Sequence, residues 1–244
     1  MRAGLALGST LALLAGCGRE TPTSPAATAS AAAKDVARPD LARCEQFTRE
    51  EGDPELQRKA ALALPASFKP LAASDMDHIA VVTQGGATLC LDTRYMEAIA
   101  GAKATDDQRF LAFDWTGYEA FGHVVIDRTG AGQVLETGNP PLAAATAKRF
   151  AAIDLSESGF GGLNAFAVWD IEADGLRELA KVTEGIPPGD WRIEDWSGDV
   201  CVNLSVLPIE QQPAEAADFA RATRDPWHAA DDDGWKPAAG HCPG

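Results

Sequence analysis

Apolar and polar positions along this chain fall into stretches of different period, and each stretch predicts a different structure. Leu5 to Ala15 is a largely apolar run of about 11 residues behind the single Arg2. A membrane-spanning helix needs about 20, so the run predicts the hydrophobic part of a secretory signal rather than an anchor. Residues 18–40 hold no aromatic side chain and one large aliphatic, Val36. Such a segment buries too little to offset chain entropy and predicts a tether of about 22 residues reaching roughly 25 Å. The folded domain is therefore expected over 41–244, behind a signal at 1–16 and a tether at 17–40.

Helical spacing is confined to the start of that domain. Asp53 suits an N-cap, Pro54 and Glu55 a first turn, and Leu56, Ala60, Ala63 and Leu64 an apolar stripe that Pro65 stops. A period near two follows, with His78 to Gln84 and Ala87 to Asp92 flanking Gly85-Gly86 as a hairpin with a two-residue turn. Arg94 to Ala102 predicts a short helix ending near Gly101.

Beyond it the pattern repeats. Arg109-Phe110-Leu111-Ala112-Phe113-Asp114 returns forty positions later as Arg149-Phe150-Ala151-Ala152-Ile153-Asp154, and Trp191 to Asp195 follows at a similar interval. Each is followed by a turn and a β-rich strand: Phe121 to Asp127, Asn164 to Ile171 and Val200 to Leu207. Third strands, Gln133 to Glu136 and Leu176 to Val182, end at Gly138-Asn139-Pro140-Pro141 and Gly185-Ile186-Pro187-Pro188. The fold class is therefore mainly β, an antiparallel meander of period about 40. Over 109–207 the repeat resembles the blades of a β-propeller, with a β-sandwich as the alternative architecture.

Five cysteines sharpen the location. Leu14-Ala15-Gly16-Cys17 resembles the lipobox of bacterial lipoproteins. That resemblance implies cleavage before Cys17, acyl chains on its sulfur, and a chain held at an extracytoplasmic membrane face. Gly18 after the cysteine implies, in a diderm host, the periplasmic face of the outer membrane. Lipidation leaves Cys44, Cys90, Cys201 and Cys242, an even set that predicts two disulfides in an oxidising compartment, with three possible connectivities. Cys44–Cys90 with Cys201–Cys242 is favoured because each staples a chain end to a strand. Cys44–Cys242 with Cys90–Cys201 is the alternative. No cysteine spacing suits zinc.

Chemistry is sparse. The chain has no GxSxG, HExxH, P-loop or dinucleotide fingerprint, and no cofactor is expected. Four histidines, His78, His123, His228 and His241, are scattered. Asp75-Met76-Asp77-His78 could hold a cation but reads better as a turn, and Asp231-Asp232-Asp233-Gly234 lacks the spacing of a calcium loop. Asp114, Glu119, Asp154 and Asp195 recur at strand ends, as turn-capping acids do. Trp115, Trp169, Trp191 and Trp196 are aromatic enough to stack on a sugar or anchor an interface, with at least half expected inside. The net charge of −15 repels nucleic acid and suits a basic partner.

Charge, location and motif content together lead to a lipid-anchored binding module for a protein or wall component of the envelope, in its concrete form an inhibitor or immunity lipoprotein acting on a basic envelope enzyme. Phe160, Trp196 and Trp227 are the expected contact aromatics. A carbohydrate-active or peptidoglycan hydrolase and a structural accessory of an envelope complex are the alternatives. The lipobox reading has a direct test, the intact mass of the membrane-extracted protein. A chain beginning at Cys17 and carrying acyl mass is expected, and recovery of soluble protein with unmodified Cys17 refutes it.

Overall fold

A computed structural model describes residues 37–47, 59–155 and 162–243, within a compact unit spanning Val36–Gly244. Four antiparallel sheets follow one another along the chain. The first holds β1 (Ala72–Ser74), β2 (His78–Val82) and β3 (Thr88–Asp92). The second holds β4 (Ala98–Ala104), β5 (Phe110–Gly117), β6 (Ala120–Asp127) and β7 (Gln133–Glu136). In the third, β8 (Leu142–Ala143), β9 (Arg149–Asp154), β10 (Ala165–Glu172) and β11 (Gly175–Val182) pair in chain order. The fourth comprises β12 (Gly189–Ser197), β13 (Cys201–Pro208), β14 (Asp225–Ala230) and β15 (Ala238–Ala239). The mainly β meander expected from the repeat is thus present.

Central strands are apolar on both faces, so each sheet has to be covered twice. On β10, Phe166 and Val168 pack with Val202, Leu204 and Val206 of the fourth sheet. The alternate residues Ala165, Ala167 and Trp169 pack with Phe150 and Ala152 and against Leu135 of the second sheet. Leu111, Phe113, Trp115, Val124 and Ile126 turn instead toward Ile79, Val81 and Leu91 of the first. Three cores therefore join successive sheets, and among the described residues no cluster joins the fourth sheet to the first.

Both remaining outer faces carry a disulfide. Ala80 pairs with Cys90, and the Cys44–Cys90 bond lays the segment around Cys44 on that face. Phe47 stacks on His78 at 5.2 Å, with the Arg94 guanidinium 3.5 Å above its ring. At the other end of the array Cys201–Cys242 fixes the C-terminal strand to β13, where the Cys242 amide donates to Asn203 Oδ1 at 3.0 Å.

Arginines join the layers at one end of the strands. Arg109 pairs with the fully buried Asp127 and donates to the Gly175 carbonyl of the third sheet. Its counterpart Arg149 pairs with Asp170 and reaches the Asp199 carbonyl and Asp231 of the fourth. Arg128 donates to the carbonyls of Val82 and Gln108. A guanidinium has enough donors to satisfy a carboxylate and a neighbouring carbonyl together, which a lysine does not do in this geometry.

Three local expectations change. Much of the proposed helix, residues 48–58, lies outside the described residues. Its described end, 59–64, is not helical, and Leu62 instead enters the first core while its carbonyl accepts from Ser74 Oγ at 2.7 Å. Helical structure among the described residues is limited to 3-10 segments at Leu41–Arg43, Ile209–Gln211 and Ala216–Arg221. Arg94 to Ala102 is not a helix either. Ala98–Ala104 pairs with β5, with a bulge between Ala100 and Lys103 around Gly101, whose φ is +60°. Alanine's helical preference is weak beside a ladder of cross-strand hydrogen bonds and Ile99 packed on the core. The β2–β3 hairpin forms, but its turn is one residue longer than a Gly85-Gly86 pair. The Gly86 amide bonds the Thr83 carbonyl at 3.0 Å and Gly86 takes φ +85°, the left-handed residue that follows a tight turn in a bulged loop.

The disulfides make a stability prediction. Replacing Cys201 and Cys242 together by Ser should cost about 2–5 kcal/mol in denaturant unfolding. The unreduced, denatured wild-type domain should show no alkylatable thiol among Cys44, Cys90, Cys201 and Cys242.

Candidate functional site

The β5–β6 hairpin is paired along its whole length, from Phe110 opposite Asp127 to Gly117 opposite Ala120, leaving Tyr118 and Glu119 as a two-residue turn. Glu119 sits at φ +54°, a backbone region that disfavours a side chain with a Cβ. Tyr118 is 73% exposed and Phe121 is 66% exposed, the two most exposed large apolar side chains among the described residues. Large aromatics left in water on a strongly paired turn mark a binding surface more than a folding requirement.

What lies beneath the turn holds it rigid. Trp115 is buried and meets Tyr95 edge to face at 4.9 Å. The Tyr95 hydroxyl donates to Glu136 Oε1 at 2.7 Å. Burial and the Glu136 carboxylate push this phenol far above its ordinary pKa, so it remains a proton donor at any physiological pH. Glycines let the backbone come this close. A Cβ on Gly122 would lie 2.8 Å from Trp115 Nε1, and one on Gly117 would lie 2.2 Å from the Tyr95 carbonyl oxygen.

Midway along the hairpin Asp114 and His123 face each other across the strands, with Asp114 Oδ1 2.7 Å from His123 Nδ1. His123 is nearly buried, while the Asp114 side chain is half exposed. Glu97 and Glu119 are exposed near the same strands, so the aromatic tip is bordered by carboxylates. Glu97 is tied to the hairpin through its amide, 2.7 Å from the Thr116 carbonyl.

The aromatics expected from sequence go elsewhere. Trp196 and Trp227 pack against the core between the third and fourth sheets. Trp196 donates to the Leu142 carbonyl at 2.9 Å and meets Trp235, and Trp227 meets Trp191. Both are half-buried. Phe160 lies outside the described residues. Tyr118 and Phe121 escaped notice because neither belongs to a named motif. Their one signal was an aromatic and a glutamate where a hairpin turn ordinarily carries Gly, Asn or Asp.

The acids separate in the same way. Asp75 Oδ1 accepts from the amides of Asp77 and His78, an Asx turn rather than a cation site. Asp195 accepts from Asn203, and Asp231 pairs with Arg149. Among the described residues no group of three His, Cys, Asp or Glu side chains could hold a metal ion. Asp154 differs from the others. It is buried, its Oδ2 has no partner, and Gly138 sits so close that a Cβ there would be 2.0 Å from that oxygen. Burial raises its pKa, against a weaker opposing bond from the Leu163 amide.

No protein-family model matches the chain, and no curated protein matches it in sequence.

Asp154 yields a pH prediction. Its folded pKa lies above the unfolded value of about 3.9, so the folded state holds the proton more tightly. Stability linked to this group is therefore full at low pH and falls as pH rises through the folded pKa. Asp154→Asn, which keeps an acceptor for the Leu163 amide, should be more stable than wild type at pH 7. The difference should shrink toward pH 3 in paired thermal or urea unfolding.

Proposed function

We propose that this protein is a lipid-anchored, extracytoplasmic binding module that docks a basic envelope protein through its β5–β6 hairpin. One observation carries the reading: Tyr118 and Phe121 stand exposed on a glycine-tightened hairpin bordered by Glu97, Glu119 and Asp114. Rigid aromatics contribute interface area at small entropic cost. The surrounding negative charge supplies orientation and encounter rate for a cationic partner. The formal charge of −15 extends that attraction over the whole chain.

An inhibitor or immunity lipoprotein blocking a basic envelope enzyme is the concrete form of this reading. The lipobox at Leu14 to Cys17 and a 17–40 tether support its placement at the outer membrane of a diderm host, within reach of such an enzyme. The four sheets act as scaffold. Their repeat-equivalent residues, Leu111 with Phe113 and Ala151 with Ile153, turn toward opposite neighbours. That arrangement favours layers stacked as in a sandwich over blades turning about an axis.

The test joins capture to kinetics. Wild-type lipoprotein and a Tyr118→Ala/Phe121→Ala variant are crosslinked in envelopes, and the recovered partner is purified for binding measurements. A basic protein should be recovered by the wild type only. Its on-rate should fall between 0.1 and 1 M salt, as the Debye length contracts from about 10 Å to about 3 Å. The double variant should dissociate at least about tenfold faster. Hydrolysis of peptidoglycan or glycosides by the purified protein, abolished by a single change at Asp114, Asp154 or Asp195, would overturn the binding reading in favour of an enzyme.

A further inference from the structure

The fourth sheet carries a second feature that neither the hairpin nor the fold uses. Where β13 and β14 meet, Ser197, Val200, Cys201, Ala230, Asp231 and Asp232 border a groove of about 570 Å³, closed on one side by Pro243. That volume lies within the range of pockets that take a small molecule or a single long side chain. Its walls are mostly hydrocarbon. Val200 is 57% exposed although it sits beside the buried Cys201, an arrangement that leaves an apolar surface facing water.

The walls are fixed in place. Cys201 pairs with Ala230 across the ladder, and its disulfide to Cys242 holds the terminal segment alongside. The Asp231 amide donates to the Val200 carbonyl at 2.9 Å, and the Trp235 amide to the Ala230 carbonyl at 2.8 Å. Gly234 and Trp235 both adopt positive φ, and the Trp235 ring is buried in the core behind the turn. A turn held by two backbone bonds and a buried indole loses little freedom when something binds to it.

Charge decides the occupant. Arg149 is engaged by Asp170 and Asp231 and by the Asp199 carbonyl. Asp232 is exposed and has no ion pair or hydrogen bond among the described residues. Behind the turn, Asp199 Oδ1 is buried without a hydrogen-bond partner, while Oδ2 accepts from Thr146. A largely apolar groove with the Asp232 carboxylate in its lining complements a side chain that is hydrocarbon along its stem and cationic at its head. Arginine fits better than lysine, because its planar fork pairs with a carboxylate through two parallel bonds.

We propose that this groove is a binding site for an arginine side chain of a basic protein chain. The methylenes lie over Val200, Ala230 and the disulfide, and the guanidinium pairs with Asp232. The site is built from residues separate from the hairpin and stands whether or not the hairpin docks a partner.

The experiment is an amide NMR titration of the whole chain with acetyl-Ala-Arg-Ala-amide, compared with the same peptide carrying citrulline, the neutral isostere of arginine. The arginine peptide should shift the amides of Val200, Ala230 and Asp232. The citrulline peptide should bind about tenfold more weakly, the scale of one lost charge-assisted contact. Asp232→Asn should produce a similar loss, and Val200→Ser should weaken both peptides together. Both positions are exposed, and unchanged thermal unfolding of each variant would show that the fold is intact. Equal binding of the two peptides, shifts confined to residues near Tyr118 and Phe121, or no shift at millimolar peptide would each overturn the proposal.

Discussion

Two-sided burial of the central strands is the constraint from which the architecture follows. A strand such as Ala165 to Trp169 is apolar at every position, and a sheet containing it cannot leave either face in water. Its solution is a neighbour on each side: the second sheet covers Trp169 and the fourth covers Phe166 and Val168. Among the described residues the clusters join only successive sheets, which leaves one face of the first sheet and one of the fourth without another sheet's cluster on it. There the apolar supply runs out, and covalent bonds replace hydrophobic burial. Cys44–Cys90 and Cys201–Cys242 hold short segments against faces that carry Ala80 and His78 at one end and Asn203 and Ser205 at the other. Neither covering segment is apolar enough to stay there by itself.

The repeat was legible for a physical reason. Arg109 and Arg149 begin equivalent strands because each has the same task, pairing with an acid at the end of the next strand and donating to a carbonyl of the next sheet. Sequence similarity at a spacing of forty records that shared task. It does not record which way the sheet faces, because Phe110 and Phe150 can alternate inward or outward without changing the pattern of strand and turn. Orientation is decided by what covers each face, which is a long-range property. The helix expected at Arg94 to Ala102 failed on the same distinction, since alanine-rich local preference yielded to pairing with β5.

The candidate site was much less visible than the scaffold. Tryptophans attract notice as binding residues, yet here they are the large pieces that fill space between layers: Trp191 against Trp227, Trp196 against Trp235, Trp115 beneath Tyr95. The most exposed aromatics among the described residues are the smaller Tyr118 and Phe121, whose setting depends on neighbours distant in sequence. Tyr95, in the turn before β4, packs on the Trp115 indole and is held by Glu136 of β7, and Gly117 and Gly122 permit the approach. Only the disulfide pairing, among the residues marked for function, was readable from spacing, because each favoured bond joined a chain end to an adjacent strand.

The acids of this chain divide by what they touch. Several acids along the strands are spent on the fold: Asp127 on Arg109, Asp170 on Arg149, Asp195 on Asn203, Asp190 on Arg224. Each pairing satisfies a group that would be costly to leave half-buried and alone, and fixes its carboxylate away from any substrate. Asp154 escapes that pattern by burial, and its raised pKa favours the neutral acid. Other carboxylates, among them Glu97, Glu119 and Asp232, are exposed to water. Ionised acids bordering an aromatic or aliphatic surface attract a cation and let hydrocarbon pack beside it.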